Sequence, residues 1–228
     1  NRVTSPEVSD FFTRIHQEEG VEIICNKKVV ELSGSNQVEA VICEDESQYA
    51  ADLVIIGIGI LPNVELAESA GITVENGIVV DEFAQTSDPH IVAAGDCTQH
   101  PSHHYGRKLR LESVPNATDQ AKSAAASICD QQIPHHNLPW FWSEQYDLKL
   151  QIAGIQEGYD QVVLRGDPSI GRNFSAWYFS DGQLIAADCV NDAKAFMVAR
   201  RLIENGIPVS SEELRDEELD LKGLLKRG

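Results

Sequence analysis

The chain has 228 residues, of which 42% are hydrophobic and 24% are charged. These values are ordinary for a globular protein and exclude a disordered chain. Its 18 Lys and Arg against 36 Asp and Glu give a formal net charge of -18, which argues against binding to nucleic acid or to an anionic membrane surface. No apolar run approaches the roughly 18 to 20 residues of a membrane helix, so we expect no membrane span.

The first 61 residues predict one helix and several strands. The helix begins after Ser5, with Pro6 in its first position, and ends at Gly20. Strands are predicted at residues 21–24, 27–32, 37–44 and 51–58, and the last is apolar almost throughout, as is typical of a strand buried on both faces. Because the chain opens on Asn1 and runs straight into the helix, we expect it to begin inside a longer protein.

The next segment also mixes helices and strands. Residues 65–70 predict a short helix, Asn76-Gly77 predicts a hairpin turn, and residues 91–94 predict a second buried strand. A long, His-rich loop over residues 97–111 follows. An Ala-rich helix then starts at Ser113 and Pro115 and runs to about Cys129.

Residues 131–139 are polar and aperiodic, and they predict a domain boundary. Beyond them the pattern changes to alternating strands, which predicts an antiparallel sheet. The strands are expected at residues 148–153, 161–165, 174–179 and 183–190, with a helix over 192–204 and a final surface helix within 210–226.

The cysteines and histidines predict neither disulfides nor a metal site. Five cysteines are scattered through strand and helix patterns, as is typical of small core residues in a reducing compartment, which we take to be the cytoplasm. The loop histidines at 100, 103, 104, 135 and 136 lack the spacing of metal ligands. Ser113 has no base in a nucleophile-elbow setting, so hydrolase chemistry is not supported.

The most informative motif is the run from Thr86 to Asp96, which ends in Gly95-Asp96. A buried strand that ends in Gly-Asp places these residues at the carboxyl edge of a sheet, where ligands of open α/β folds bind. Gly95 would let the backbone approach a ligand closely, and Asp96 could accept hydrogen bonds from sugar or ribitol hydroxyls. The simpler alternative is that Asp96 only caps a turn.

Three further blocks surround this motif: residues 52–63, Glu112-Ser113-Val114-Pro115-Asn116-Ala117 and Trp140-Phe141-Trp142-Ser143-Glu144-Gln145-Tyr146. In this order the four blocks resemble the ferredoxin reductase family of FAD-dependent, NAD(P)H-oxidising flavoproteins. The GxGxxG fingerprints of that family are missing, since Gly57-Ile58-Gly59 continues without a third glycine.

The resemblance implies an α/β fold made of the C-terminal parts of two Rossmann-like domains and a complete α+β reductase C-terminal domain with an antiparallel sheet. Residues 1–57 would end the NAD(P)-binding domain, and residues 58–133 would be the C-terminal segment of the FAD-binding domain. Residues 134–228 would form the reductase C-terminal domain.

The resemblance also implies a function: hydride transfer from NADH to FAD, then one-electron transfer to an iron-sulfur ferredoxin or rubredoxin of an oxygenase system. No catalytic side chain is predicted, because the cofactor carries the chemistry. The implied cofactor-binding residues are Gly95, Asp96, Glu112, Ser113, Val114 and Trp142, with the Val114 amide facing the flavin pyrimidine edge and Glu112 near the nicotinamide. At least one of Trp140 and Trp142 is expected to serve packing alone.

The implied partner poses an electrostatic problem, because ferredoxins are typically acidic and this chain carries -18. Docking would need a local cationic patch. The resemblance places Lys122 near the electron exit, and Arg107, Lys108 and Arg110 form a second basic cluster that could equally be a solvated loop.

Two other functions remain open from the sequence. The parent could be a pyridine nucleotide-disulfide reductase, whose redox cysteines would lie outside this chain. Alternatively, the chain could be a cofactor-free fragment or an interaction module with no activity of its own. We expect the chain alone to be inactive, and its unpaired sheet edges predict a homo-oligomer or a strand-swapped assembly.

Overall fold

The computed structural model describes residues 4–227. These residues divide into two compact units, residues 10–61 and residues 4–9 with 62–227, and the division falls inside the first helix. Among the described residues, no helix has both the length and the apolarity needed to cross a bilayer.

The smaller unit contains most of α1 (Pro6–Glu18) and a three-stranded antiparallel sheet of β1 (Val29–Ser33), β2 (Ala40–Cys43) and β3 (Gln48–Ala50). The helix starts as predicted, since the amide of Val8 donates to Ser5 Oγ at 3.5 Å. The strands predicted at residues 21–24 and 51–58 are wrong, because neither segment has a strand partner among residues 4–227.

The larger unit begins with α2 (Glu65–Ser69) and a four-stranded sheet, whose strands are β4 (Val74–Glu75), β5 (Gly77–Val79), β6 (Thr98–Pro101) and β7 (Lys108–Leu109). The Asn76-Gly77 turn joins β4 to β5 as predicted, and Gly77 has φ +121°. The predicted loop at 97–111 instead contains β6 and β7. The strand predicted at 91–94 is wrong, because only one bridge, between Gln85 and Val92, joins it to a described neighbour.

The helix predicted from Ser113 is α3 (Val114–Ile128). Its buried face is partly polar and includes Asn116, Gln120 and Ser123, whereas Ala121 and Ile128 are exposed. The following residues, 129–139, have no helix or strand. They are nevertheless fixed, because Leu138 is fully buried and the amide of His135 donates to the carbonyl of Glu82 at 2.7 Å.

The C-terminal region is built on a five-stranded antiparallel sheet with the strand order β10-β11-β12-β9-β8. The strands are β8 (Trp140–Gln145), β9 (Leu148–Gly154), β10 (Gln161–Arg165), β11 (Phe174–Ser180) and β12 (Gln183–Val190). A two-residue turn, Asp181-Gly182, joins β11 to β12 with φ of +49° and +74°, as a hairpin that follows the strand twist requires.

One face of this sheet is covered by α4 (Ala193–Glu204), which is capped by Asp192 through the amide of Ala195 at 2.9 Å. The predicted final helix is instead split into α5 (Ser211–Arg215) and α6 (Leu221–Leu224), followed by a short 3-10 turn (Leu225–Arg227). The break lets Leu214, Leu221 and Leu224 all reach the core beneath α4. The predicted α/β class with an antiparallel C-terminal sheet is confirmed.

Candidate functional site

The Gly95-Asp96 turn follows residues 91–94 and lies against the first two turns of α3. Gly95 is buried with φ +91°, a conformation that glycine adopts without strain, whereas Asp96 is exposed. The amide of Gly95 donates to Gln120 Oε1 at 2.8 Å, and its carbonyl accepts from the amide of Thr98 at 3.0 Å. Both backbone groups of Gly95 are therefore satisfied inside the protein, and Asp96 is the residue of the turn that faces outward.

The first turn of α3 leaves the amide of Val114 without a partner within the helix. Ser113 is the N-cap, and its Oγ accepts from the amide of Asn116 at 3.3 Å. Pro115 has no N–H, so Val114 carries the remaining donor at this end, and its side chain is exposed. A helix N-terminus with such a donor favours a negatively charged or electron-rich group.

Arg110 connects two of the predicted site residues. Its guanidinium Nη1 lies 2.8 Å from Glu112 Oε1 and donates to the carbonyl of Asp96 at 3.3 Å, while Nε donates to Asn76 Oδ1 at 3.2 Å. The Arg110 side chain is only 14% exposed, so the ion pair is better shielded from water than a surface pair. Glu112 is thus held beside the Asp96 turn and is not a freely solvated carboxylate.

A buried histidine pair lies behind α3. The ring of His135 contacts Asn116 Oδ1 through Nε2 at 3.0 Å, and the ring centroids of His100 and His135 are 4.9 Å apart. Burial, with a smaller effect of His135, lowers the pKa of His100 to about 4, and burial also lowers the pKa of His135. Both rings are therefore neutral at pH 7. No group of His, Cys, Asp or Glu among residues 4–227 has the arrangement of a metal site.

The aromatic residues of β8 divide into a packing residue and a more peripheral one. Trp140 packs against the core and lies 5.7 Å from the ring of Phe196, which agrees with the expectation that one of the pair serves packing. Trp142 is half-buried, and its ring centroid is 5.6 Å from that of Trp140. β8 is an edge strand and packs beside α3.

The predicted docking cations are all paired with carboxylates. Lys122 Nζ lies 2.7 Å from Asp119 Oδ1, one helical turn away, and the Lys122 side chain is 69% exposed. Arg107 pairs with Glu157, Lys108 with Glu75 and Arg110 with Glu112. Of these, Arg110 hydrogen-bonds to the Gly95-Asp96 turn, so its side chain is not part of a solvated loop.

The structure therefore brings Gly95, Asp96 and Glu112 together through Arg110 and sets Ser113 and Val114 directly after them. Sequence reasoning missed Gln120 and assigned no structural role to Arg110. A glutamine on the buried face of an Ala-rich helix, four residues after a buried Asn116, was the available signal for a polar contact across the helix.

Comparison with known proteins identifies the family. Residues 1–121 match the pyridine nucleotide-disulphide oxidoreductase family, and residues 140–225 match the reductase C-terminal family. The chain belongs to the pyridine nucleotide-disulphide oxidoreductase family. The resemblance to ferredoxin reductases is likewise confirmed, and FAD and NAD(P)H are the cofactors of this group.

Several curated relatives are ferredoxin reductases. The chain is 44% identical to putidaredoxin reductase of Pseudomonas putida over 228 residues, which covers 98% of this chain and 54% of that protein. It is 37% identical to rhodocoxin reductase of Rhodococcus erythropolis over 227 residues, which covers 99% of this chain and 53% of that protein. The chain thus spans about half the length of these relatives.

Solved structures give the same result. The chain superposes on a putidaredoxin reductase that was crystallised in a covalent complex with putidaredoxin, with a TM-score of 0.95 and 42% identity over 99% of this chain and 55% of that one. A ferredoxin reductase of Rhodopseudomonas palustris gives a TM-score of 0.93 and 40% identity over 97% and 55%.

Proposed function

We propose that this chain is the C-terminal part of an FAD-dependent NAD(P)H:ferredoxin oxidoreductase. The observation that carries the proposal is the outward-facing Asp96, fixed beside Glu112 by Arg110 and next to the exposed N-terminus of α3. Two of the four motifs that resemble ferredoxin reductases, residues 86–96 and 112–117, supply this arrangement. In the same proposal, residues 1–57 end the NAD(P)-binding domain, 58–133 belong to the FAD-binding domain and 134–228 form the reductase C-terminal domain.

The chain's own residues fit one edge of a bound FAD. The Asp96 carboxylate is exposed at a turn whose backbone is already fixed, so it can accept hydrogen bonds from ribitol hydroxyls without disturbing the fold. The Val114 amide and the positive end of α3 would stabilise negative charge that accumulates on the flavin ring. A shift of ~1 to 2 kcal/mol at that edge raises a two-electron potential by ~20 to 45 mV.

Bound FAD would supply hydride acceptance from NAD(P)H and one-electron delivery to an iron-sulfur protein. The chain would orient the reactants around it. In this proposal Glu112, which Arg110 pairs at 2.8 Å, would accept a hydrogen bond from the nicotinamide carboxamide. Because its charge is already paired, it can do so without leaving an uncompensated carboxylate in a partly closed site.

The side of the molecule formed by α3 and β8 is the proposed electron exit. There Trp142 would exclude water from the flavin, and Lys122 would supply positive charge for an acidic iron-sulfur partner. One relative was crystallised with putidaredoxin bound, which supports a ferredoxin as the class of partner.

The test uses the proposed complete reductase, which would add the part of the relatives' length that this chain does not cover. We expect it to purify with bound FAD and to reduce an iron-sulfur ferredoxin with NADH or NADPH. The 228-residue chain alone should release no flavin on denaturation, because neither glycine-rich pyrophosphate motif lies within it.

A matched pair of variants assigns the site. Asp96→Ala should lose FAD during dialysis while keeping its far-UV circular dichroism. Glu68→Ala, which removes an exposed carboxylate from α2, should retain FAD. A folded complete reductase without FAD, or stoichiometric FAD on the 228-residue chain, would contradict the proposal.

A further inference from the structure

Gln120 is a buried polar residue on an otherwise Ala-rich helix. It lies in the second turn of α3 and is 1% exposed. Burying a carboxamide is costly unless its polar atoms are hydrogen-bonded. Its Oε1 has two contacts, the amide of Gly95 at 2.8 Å and the hydroxyl of Thr98 at 2.8 Å. The Gln120 oxygen therefore binds the turn before the helix, whereas its buried Nε2 has no hydrogen-bond partner among the described residues.

The orientation of this carboxamide follows from the chemistry of its neighbours. The Gly95 N–H is a donor only, so the oxygen of Gln120, not the nitrogen, must face it. The Thr98 hydroxyl has one hydrogen and lies 2.8 Å from both Gln120 Oε1 and the Gly95 carbonyl, so it donates to one of them at a time. In either state Gln120 Oε1 keeps its bond from Gly95.

The contact fixes the peptide plane between Ala94 and Gly95, directly before the peptide that leads into Asp96. Gly95 has φ +91°, and a Cβ built on it would lie 3.6 Å from Cβ of Ala117, so α3 backs the turn closely. If the acceptor were removed, a buried N–H would lose its partner and the glycine backbone could rotate at little steric cost. Asp96 would then be held only through the bonds to the carbonyls of Gly95 and Asp96, so the direction of its carboxylate would be set less firmly.

We propose that Gln120 is a positioning residue for the cofactor: its side-chain oxygen holds the Gly95-Asp96 turn in the conformation that presents Asp96 to FAD. This inference rests on the function proposed above. Gln120 itself is buried and makes no contact with the ligand. Its effect is exerted through the amide of Gly95.

The first measurement is hydrogen exchange at the Gly95 amide in the 228-residue chain, which needs no cofactor. Gln120→Met removes the acceptor at similar volume, whereas Gln120→Glu keeps an oxygen at the same place. We expect exchange at Gly95 to be about tenfold or more faster in Gln120→Met, and within about threefold of the parent in Gln120→Glu. Ser123→Ala, a buried change on the same helix, controls for general loosening.

The second measurement is the FAD dissociation constant of the complete reductase, determined by flavin fluorescence during titration of the apoprotein. We expect Gln120→Met to weaken FAD binding about 10- to 100-fold, the range for one unpaired buried polar group. The FAD dissociation constant of Gln120→Glu should lie within about threefold of that of the parent. A general loss of stability would affect Ser123→Ala as well and would not be rescued by glutamate.

The outcomes separate the two proposals. Unchanged Gly95 exchange in Gln120→Met, or faster exchange with unchanged FAD affinity, overturns the positioning role and leaves the proposed function intact. Equal loss of FAD in Gln120→Met and Ser123→Ala also overturns it. A parent reductase that binds no FAD overturns the proposed function, and the positioning role falls with it.

Discussion

The five-stranded C-terminal sheet and the segment 51–61 are both rich in apolar residues, but only the sheet buries them. In the sheet, Phe174 and Phe179 are each 1% exposed, and Trp177 is fully buried. In the other segment, Ile55 is 88% exposed and Leu61 is 92% exposed. Similar local composition thus leads to opposite environments.

The difference lies in the available strand partners. β11 pairs with β10 on one side and β12 on the other, so its backbone forms hydrogen bonds on both sides. Its side chains are buried, except for that of Ser180. Residues 51–61 have no ladder with any strand among residues 4–227. An apolar run therefore predicts that its side chains are buried in the complete protein, but it does not identify the element that covers them. In the proposed complete reductase, the part of the protein outside this chain would cover residues 51–61. Self-association of the chain remains a prediction.

The largest expected effect tests this difference directly. Phe179→Ala should lower the free energy of unfolding by ~3 to 5 kcal/mol, because it removes a packed ring from the core. Ile55→Ala should change it by less than ~0.5 kcal/mol, since that side chain is exposed. Urea unfolding can be followed by tryptophan fluorescence, which reports on the C-terminal sheet because Trp140, Trp142 and Trp177 all lie in it.

Equal effects of the two substitutions would break the comparison. A large loss in Ile55→Ala would mean that residues 51–61 are buried in solution, for instance against a second copy of the chain. Repeating the measurement at several protein concentrations distinguishes that case, because only an associated chain has a concentration-dependent midpoint.

The second effect concerns a carboxyl group inside the same sheet. Tyr178 Oη donates to Asp188 Oδ2 at 2.8 Å, and both residues are fully buried. Burial raises the pKa of Asp188 from 3.8 to about 7, although the hydrogen bond from Tyr178 opposes this. The folded protein therefore holds a proton that the unfolded chain has released.

The sign of the pH dependence follows. The stabilising effect of this group is full below about pH 4, falls as the pH rises toward 7 and is lost above that. The slope is at most ~1.4 kcal/mol per pH unit. Asp188→Asn keeps an acceptor for Tyr178 but cannot ionise, so it should remove this slope and be more stable than the parent at pH 8.

Urea unfolding at pH 5, 6, 7 and 8 measures the slope. Glu144→Gln, a change at an exposed carboxylate on β8, is the control and should keep the parent's pH dependence. A parallel pH dependence for the parent and Asp188→Asn would show that Asp188 is already ionised in the folded sheet.

The sequence could predict the helix starts and tight turns, which depend on local interactions. Ser5, Ser113 and Asp192 cap the helices that they were expected to cap or begin, and Asn76-Gly77 forms the predicted hairpin turn between β4 and β5. These features depend on residues within a few positions of one another. The strands predicted at 21–24, 51–58 and 91–94 depend on non-local pairing and were wrong.

The candidate site shows the same limit. Its outward residue, Asp96, could be located from the Gly-Asp sequence at the end of an apolar run. The contacts that fix it could not, because Gln120 reaches Gly95 across 25 positions and Arg110 reaches Asp96 across 14. In the sequence, Arg110 is indistinguishable from the neighbouring loop cations Arg107 and Lys108.

The smallest effect extends the comparison of the two regions to surface charge. Lys122 on α3 and Lys28 before β1 are matched: their side chains are 69% and 70% exposed, and each forms a 2.7 Å ion pair, with Asp119 and Glu44. Lys122 lies on α3, which forms part of the proposed electron-exit side, whereas Lys28 belongs to the smaller unit. Debye screening limits the range of interactions between exposed charges to about 8 to 10 Å. Each lysine therefore affects only the charges near it, in spite of the net charge of -18.

We therefore expect Lys122→Glu in the complete reductase to slow association with an acidic ferredoxin about three- to tenfold at low salt and to flatten its salt dependence, because the steering charge is reversed. Lys28→Glu should leave both unchanged. Flavin reduction by NADH should be normal in both variants. Stopped-flow reduction of putidaredoxin over an ionic-strength series measures these rates, and an equal response of the two variants would mean that net charge, and not a local patch on α3, governs docking.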